Sequence, residues 1–417
     1  MNSTATAESV TPPAIPTRWQ RLQPGAPVGL AASACIRVRS RYSRCSACGD
    51  DCPTGALAVE EQGPRLGNGC IGCGRCTAVC PTGALAVDGF ARSLGIPPGS
   101  GAIAVECWRV RDAEVTPQAL RVPCLGGLSV SQLLALVHFA GGRPIQLIER
   151  GGCAHCPAAP DGGCPVGLAL AESDALLRAI GIEEERRPQL IRLPPSGRRG
   201  LLREIPAALN RRVLTRRGFL ERLTRHSAAL ANDLLEVVPS DAEAGAADAV
   251  EAGARLREPA RPIERERRLA LLATLARARG NALPASLFTQ VTIDAKRCNG
   301  HAVCAATCPV GALQRSDERD TTTGESTLAI DFDPRRCIAC GGCEGACPSG
   351  ALTLSPHAID AATAGLPRRL VAHHHRPCFE CGREFALTQN TSVGEERCPA
   401  CRKSHALAAE LFTGLFR

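Results

Sequence analysis

Apolar residues come in short bursts along this chain, and each burst marks an element. Gly101-Ala102-Ile103-Ala104-Val105-Glu106 predicts a strand ending at Cys107, and Ala119 to Val122 predicts another ending at Pro123-Cys124. Ser129 is placed to cap a helix over Val130 to Ala140, which Gly141-Gly142 would stop. Pro144 to Ile148 predicts a third strand, leading into Gly151-Gly152-Cys153-Ala154-His155-Cys156. Strands that each deliver cysteine at their C-terminal ends fit an open α/β sheet, whose ligands bind beyond the carboxyl ends of the strands. Upstream, the alternation Cys35-Ile36-Arg37-Val38-Arg39 predicts a short strand. Downstream, Arg261 to Ala278 carries a helical pattern, with breaks at Pro239, Pro259 and Pro262. No stretch approaches the roughly 18 consecutive apolar residues of a membrane span.

With 417 residues the chain suits several domains. The expected class is α+β and multidomain. A tail over 1–27 precedes a cysteine-rich segment over 28–95 and a small α/β domain with a parallel sheet over 100–195. A helical connector over 196–285, a second cysteine-rich segment over 286–360 and a pair of cysteine knuckles over 370–405 complete it. Met1 to Gln20 has no basic head followed by an apolar run, so a disordered tail is expected there rather than a signal peptide.

Charge changes this picture in one place. The chain carries a net +8, and residues 186–280 hold 20 Arg against 11 Asp and Glu. A solvated helical spacer is the plain reading of that segment. Docking to an acidic partner or to nucleic acid is the sharper one. Aromatic residues are only 3%, which argues against base-stacking nucleic-acid modules. Thr215-Arg216-Arg217-Gly218-Phe219-Leu220 mimics a twin-arginine export signal but lies mid-chain with no apolar run behind it.

The 24 cysteines carry the chemistry. In a long chain, C-x2-C groups point to metal ligation in a reducing compartment, and the expected location is cytoplasmic. Cys-Pro-x-Gly-Ala-Leu occurs at Cys52, Cys80, Cys308 and Cys347. Two complete runs read Cys70-x2-Cys73-x2-Cys76-x3-Cys80-Pro and Cys337-x2-Cys340-x2-Cys343-x3-Cys347-Pro. This is the spacing of cubane iron–sulfur ligation, in which the fourth cysteine serves the other cluster of a pair. Gly67 to Gly72 matches G-x-G-x-x-G only formally, because it falls within the ligand loop.

Residues 34–88 and 291–354 each resemble a bacterial two-cluster ferredoxin. The resemblance implies a crossed ligand pattern. Cys70, Cys73 and Cys76 would share a 4Fe–4S cluster with Cys52, and Cys45 and Cys48 would share one with Cys80. The family has a further cysteine where this chain has Tyr42, and Cys35 is the candidate substitute. The other reading is a free Cys35 beside a three-iron cluster. In the second copy, Cys337, Cys340 and Cys343 would share a cluster with Cys308, while Cys298, Cys304 and Cys347 would hold another. There His301 replaces a cysteine, so either a 3Fe–4S cluster forms or His301 ligates the fourth iron. Loss of a thiolate should raise the potential of that centre, making it the electron sink of its segment.

The middle segment faintly resembles the small iron–sulfur subunit of methyl-viologen-reducing hydrogenases. Cys107, Cys124, Cys153 and Cys156 are its candidate ligands for a fifth iron–sulfur centre, with Cys164 as spare, and core-lining free thiols are the plain reading. A catalytic Cys153/Cys156 dithiol is disfavoured by Pro157 and Pro160. Cys378, Cys381, Cys398 and Cys401 resemble a zinc ribbon, with a rubredoxin-like iron as alternative. His373-His374-His375 is expected in an exposed loop, and Asp50, Asp51 and Asp294 as solvated loop or capping residues.

These features imply three to four 4Fe–4S clusters and zinc in an electron-transfer protein that serves a protein redox partner. The alternatives are a redox-responsive regulator that binds nucleic acid through the ribbon and the Arg-rich segment, and a reductase subunit with a substrate-facing centre in the middle domain.

Overall fold

The computed structural model describes residues 20–21, 27–90, 94–193, 258–319, 326–355, 364–388 and 396–415. Most of the expected tail, and the part of the connector holding Thr215 to Leu220 and Pro239, lie outside the described residues.

The first body runs through β1 (Gln20–Arg21), β2 (Val28–Leu30), α1 (Ile36–Arg39), α2 (Ala47–Asp50), β3 (Leu57–Glu60), β4 (Gly63–Leu66), α3 (Arg75–Ala78) and β5 (Leu85–Val87). Strands β1, β2 and β5 form one antiparallel sheet, and β3 with β4 forms a hairpin. Val28, Leu57, Leu66, Leu85 and Val87 are its core. Ile36 to Arg39 form a single helical turn, not the expected strand: Arg39 N–H donates to Cys35 O at 3.1 Å and Ser40 N–H to Ile36 O at 3.0 Å. Residues two apart point to opposite sides of a helix. Ile36 is buried in the core of the last body, whereas Val38 faces Gly63, where a Cβ would come within 2.6 Å of Val38 Cγ2. Two neighbours on opposite sides thus produce the alternation that mimics a strand.

The second body is an all-parallel sheet of β6 (Ile103–Cys107), β7 (Leu120–Val122), β8 (Ile145–Glu149) and β9 (Gln189–Arg192), in the order β7-β6-β8-β9. Helices α4 (Val130–Phe139) and α5 (Gly167–Ala179) connect its strands. β6, β7, β8 and α4 lie where the pattern placed them. Ser129 Oγ accepts the Gln132 N–H at 3.3 Å and Gln132 Oε1 accepts the Ser129 N–H at 2.9 Å, a reciprocal capping box. α6 (Ile263–Arg277), the described end of the connector, is no solvated spacer. It buries Leu269, Leu272, Leu275 and Ala276 in the core that holds α4. The Arg-rich pattern hides this, because the leucines occupy only one narrow stripe.

The last body holds β10 (Gln290–Ile293), α7 (Val303–Ala306), β11 (Leu313–Arg319), β12 (Ser326–Phe332), α8 (Gly342–Ala346) and β13 (Leu352–Ser355). β14 (Arg368–Pro377), β15 (Glu384–Leu387) and α9 (Pro399–Leu415) follow. β10 pairs with β13, and β11, β12, β14 and β15 make an antiparallel sheet in that order. His373 to His375 lie in β14 rather than in a loop, with His373 opposite Leu328 and only 4% exposed. Strand alternation turns His373 inward beside Val371, a periodicity that three identical residues conceal.

Candidate metal centres

Each Cys-Pro-x-Gly copy folds into the same turn. Proline presets its own φ, and the cysteine carbonyl accepts the glycine N–H at 3.2, 3.1, 3.2 and 3.2 Å in chain order. The glycines sit in the left-handed region, with φ 64° at Gly55, 64° at Gly83, 63° at Gly311 and 57° at Gly350. That reversal aims following N–H groups back at sulfur: Leu57 at Cys52 (3.4 Å), Ala84 at Cys80 (3.1 Å), Ala312 at Cys308 (3.2 Å) and Ala351 at Cys347 (3.3 Å). A hydroxyl also approaches sulfur in three copies, from Thr54 at 3.8 Å, Thr82 at 3.9 Å and Ser349 at 3.6 Å. The Cys308 copy has buried Val310 there instead.

The C-x2-C-x2-C loops share a second device, two left-handed residues flanking the middle ligand position. These are Gly72 and Gly74 (φ 63° and 77°), Ala339 and Gly341 (54° and 70°), and Gly300 and Ala302 (69° and 53°). Alanine in this region costs about 1–2 kcal/mol, so the turns at Ala302 and Ala339 are held against local preference. His301 therefore occupies a cluster-type loop at the position of Cys73 and Cys340, and it is solvent-exposed.

The turns bring the cysteines together in crossed sets. Burial pushes the thiols of Cys70, Cys73 and Cys76 up, Cys73 to about 11, and Cys52 adds to each. Cys35, Cys45, Cys48 and Cys80 line one cleft. Burial, then Cys80, Cys45 and Cys35, push Cys48 up to about 12. Cys343 reaches about 12 through burial, then Cys337, Cys340 and Cys308. Cys304 reaches about 11 through burial, with Cys298 and Cys347 adding. Burial also raises Cys347, but the Ser349 hydroxyl and the N–H groups of Leu352, Ala351 and Ser349 outweigh it and hold that thiol below its ordinary value.

Crowded buried thiols keep their protons unless cations join them, so metal loading must release protons. All-sulfur donors around a cavity, with N–H groups aimed at the sulfurs, fit an iron–sulfur core.

Cys378, Cys381, Cys398 and Cys401 form a different kind of set. Their sulfurs all lie within 4.8 Å of one another, the only such grouping among the described residues. Cys381 and Cys398 are 3.7 Å apart, close to the ~3.8 Å spacing that a tetrahedron of ~2.3 Å metal–sulfur bonds requires. N–H groups of Cys398, Cys381 and Glu380 hold the Cys378 thiol down to about 6. This set suits one ion.

In the parallel-sheet body, Cys107, Cys124, Cys153 and Cys156 border one cavity. Arg109 Nη1 donates to Cys156 Sγ at 2.8 Å. Contact with Cys164 raises the Cys153 thiol and lowers that of Cys164. Beneath the cavity, fully buried Glu106 receives Arg150 Nε at 3.0 Å, and its carboxyl is held low. Burial opposes that shift, but the bonds from Arg150 and Thr116 outweigh it.

Several residues with roles here were not singled out from the sequence. Arg75 pairs with both Asp51 oxygens (2.6 and 3.2 Å) and donates to Ala158 O at 3.0 Å, tying a ligand loop to the parallel-sheet body. Asp51 caps the C-terminal end of α2, as one of its two expected roles has it, and is also a partner in an ion pair. An arginine within a C-x2-C-G-R-C run was the available signal. Arg265 was hidden in the Arg-rich helix, and it donates to Leu287 O and Pro334 O beside Cys337.

The family model for the 4Fe–4S binding domain matches residues 68–86 and 330–353, the stretches that hold the two complete cysteine runs. No curated protein matches the chain. The matched segments support an iron–sulfur electron-transfer protein carrying ferredoxin-type 4Fe–4S modules. Among the described residues, no helix is long and apolar enough to cross a membrane.

Proposed function

We propose that this chain is a multicluster iron–sulfur relay that passes electrons between a dehydrogenase- or reductase-type protein partner and an acceptor. One observation carries the reading: four Cys-Pro-x-Gly turns each aim a following N–H at the cysteine sulfur, and the runs around them offer sixteen candidate ligand positions, fifteen cysteines and His301. Bound clusters supply one-electron redox chemistry, and the protein tunes their potentials and spacing. The Cys52, Cys45 and Cys337 sets hold 4Fe–4S clusters, with Cys35 completing the second. The Cys298 set holds three irons, or four with His301 as ligand. Cys107, Cys124, Cys153 and Cys156 hold a fifth centre, and the terminal tetrad holds zinc. Chain N–H groups and hydroxyls stabilise charge on sulfur, while the apolar cores beside them exclude water. A cytoplasmic location follows from the demand for 24 reduced cysteines, all of them unpaired.

A second reading, a reductase whose substrate meets the centre in the parallel-sheet body, draws on the cavity and its Arg109–Cys156 contact. Nucleic-acid binding has no such support. The described end of the Arg-rich segment turns its leucines into a core.

Anaerobic purification with iron, sulfide and zinc analysis tests the proposal. Roughly 16 to 20 irons and about one zinc per chain are expected. Colourless protein without sulfide would end it.

A further inference from the structure

Two glycines seat foreign backbone directly on the ligand loops at opposite ends of the first body. Gly127 follows Cys124, and a Cβ there would lie 2.7 Å from Cys73 O and 3.3 Å from Gly74 C. Arg75 clamps the same junction through Ala158 O. At the other end, Gly342 opens α8 between Cys340 and Cys343, and its Cβ position is 3.5 Å from Ser43 N and 3.6 Å from Ser43 Cα. There Arg44 N–H donates to Cys340 O at 3.3 Å, and Cys45 packs on the core of the last body. Within the first body, Cys48 and Cys76 lie close enough to influence one another. In the last body, both cysteine sets pack on one core.

Tunnelling falls exponentially with the gap between centres, so the places where ligand loops touch decide the route. We infer that electrons cross this chain in single file. The order runs from the Cys107–Cys124 centre to the Cys70 set, the Cys45 set, the Cys337 set and the Cys298 set, with Gly127 and Gly342 as the two crossings between bodies. This rests on the iron–sulfur relay reading and adds an order to it. The Cys45 set, not the Cys70 set, hands electrons to the last body.

Spin coupling in the fully reduced, iron-replete chain tests the order. A chain carrying Cys298→Ala and Cys304→Ala, which lacks the centre on the other side of the Cys337 set, serves as the parent, and the EPR signal of its Cys337 set should show coupling to the Cys45 set. It should lose that coupling in a Cys45→Ala/Cys48→Ala variant and keep it in a Cys70→Ala/Cys73→Ala variant. Gly342→Val alters no ligand and has no left-handed φ to satisfy; it should weaken the coupling at unchanged iron content. Coupling that survives the Cys45/Cys48 change, or vanishes with the Cys70/Cys73 change, overturns the order. So does an iron-replete parent without coupling, or a Gly342→Val chain with coupling at full parental strength. An iron-free parent instead defeats the relay reading itself.

Discussion

Residues 28–88 and 290–355 follow one plan and depart from it in opposite ways. In each, an antiparallel strand pair (β2–β5, β10–β13) closes the segment, a hairpin (β3–β4, β11–β12) divides it, and one-turn helices carry the ligands. At equivalent positions, Ser46 has φ −126° and Ala302 has φ 53°. In the earlier copy Ser46 of the Cys45 run lacks the left-handed backbone, and Cys35, from outside that run, lines one cleft with Cys45, Cys48 and Cys80. The later copy has the left-handed backbone at Gly300 and Ala302, and His301 stands where the complete runs have cysteine. Left-handed backbone and donor type therefore vary separately between these runs, while the Cys-Pro-x-Gly turn is common to all four.

The strongest way to break this parallel is to remove a cysteine of a complete run. Cys337→Ser should cost about four irons per chain and the absorbance that goes with them. Unchanged iron content would show that the later copy does not assemble as the earlier one does. Cys35→Ala comes next. It should convert the Cys45 centre to a three-iron type, seen as a new EPR signal in oxidised protein, and an unaltered spectrum would make Cys35 a bystander. His301→Cys should lower the midpoint potential of the Cys298 centre, because an anionic thiolate disfavours the reduced state. Potentiometric titration showing no shift, or a rise, would mean that His301 is not the site of difference. Val310→Thr sharpens the contrast least. By supplying the missing hydroxyl near Cys308 it should raise that centre's potential slightly, and no measurable change would show that the hydroxyls at Thr54, Thr82 and Ser349 serve folding alone.

Legibility in the sequence followed the range of the interaction. Cysteine spacing, the repeated turn and the strands that lead into Cys107 and Cys124 are local patterns, and the structure has elements where those patterns are. Cys35 lines one cleft with Cys45, Cys48 and Cys80, and it immediately precedes a helical turn rather than opening a strand. What stayed hidden depends on partners far along the chain. Ile36 belongs to a core some 300 residues downstream, Arg75 reaches Ala158, and the leucine stripe of α6 is drowned by arginines that point elsewhere. His373 is concealed by composition: three like residues carry no periodicity, though the strand separates them into inward and outward positions.

Helix α6 touches all three bodies. Its leucines enter the parallel-sheet core, Glu264 N–H reaches Pro81 O at 3.2 Å, and the preceding Ala260 N–H reaches Pro309 O at 2.7 Å. It works as a keystone. Heating should therefore melt the three bodies in one cooperative step, and a chain nicked between Leu193 and Glu258 should still travel as a single particle through a sizing column.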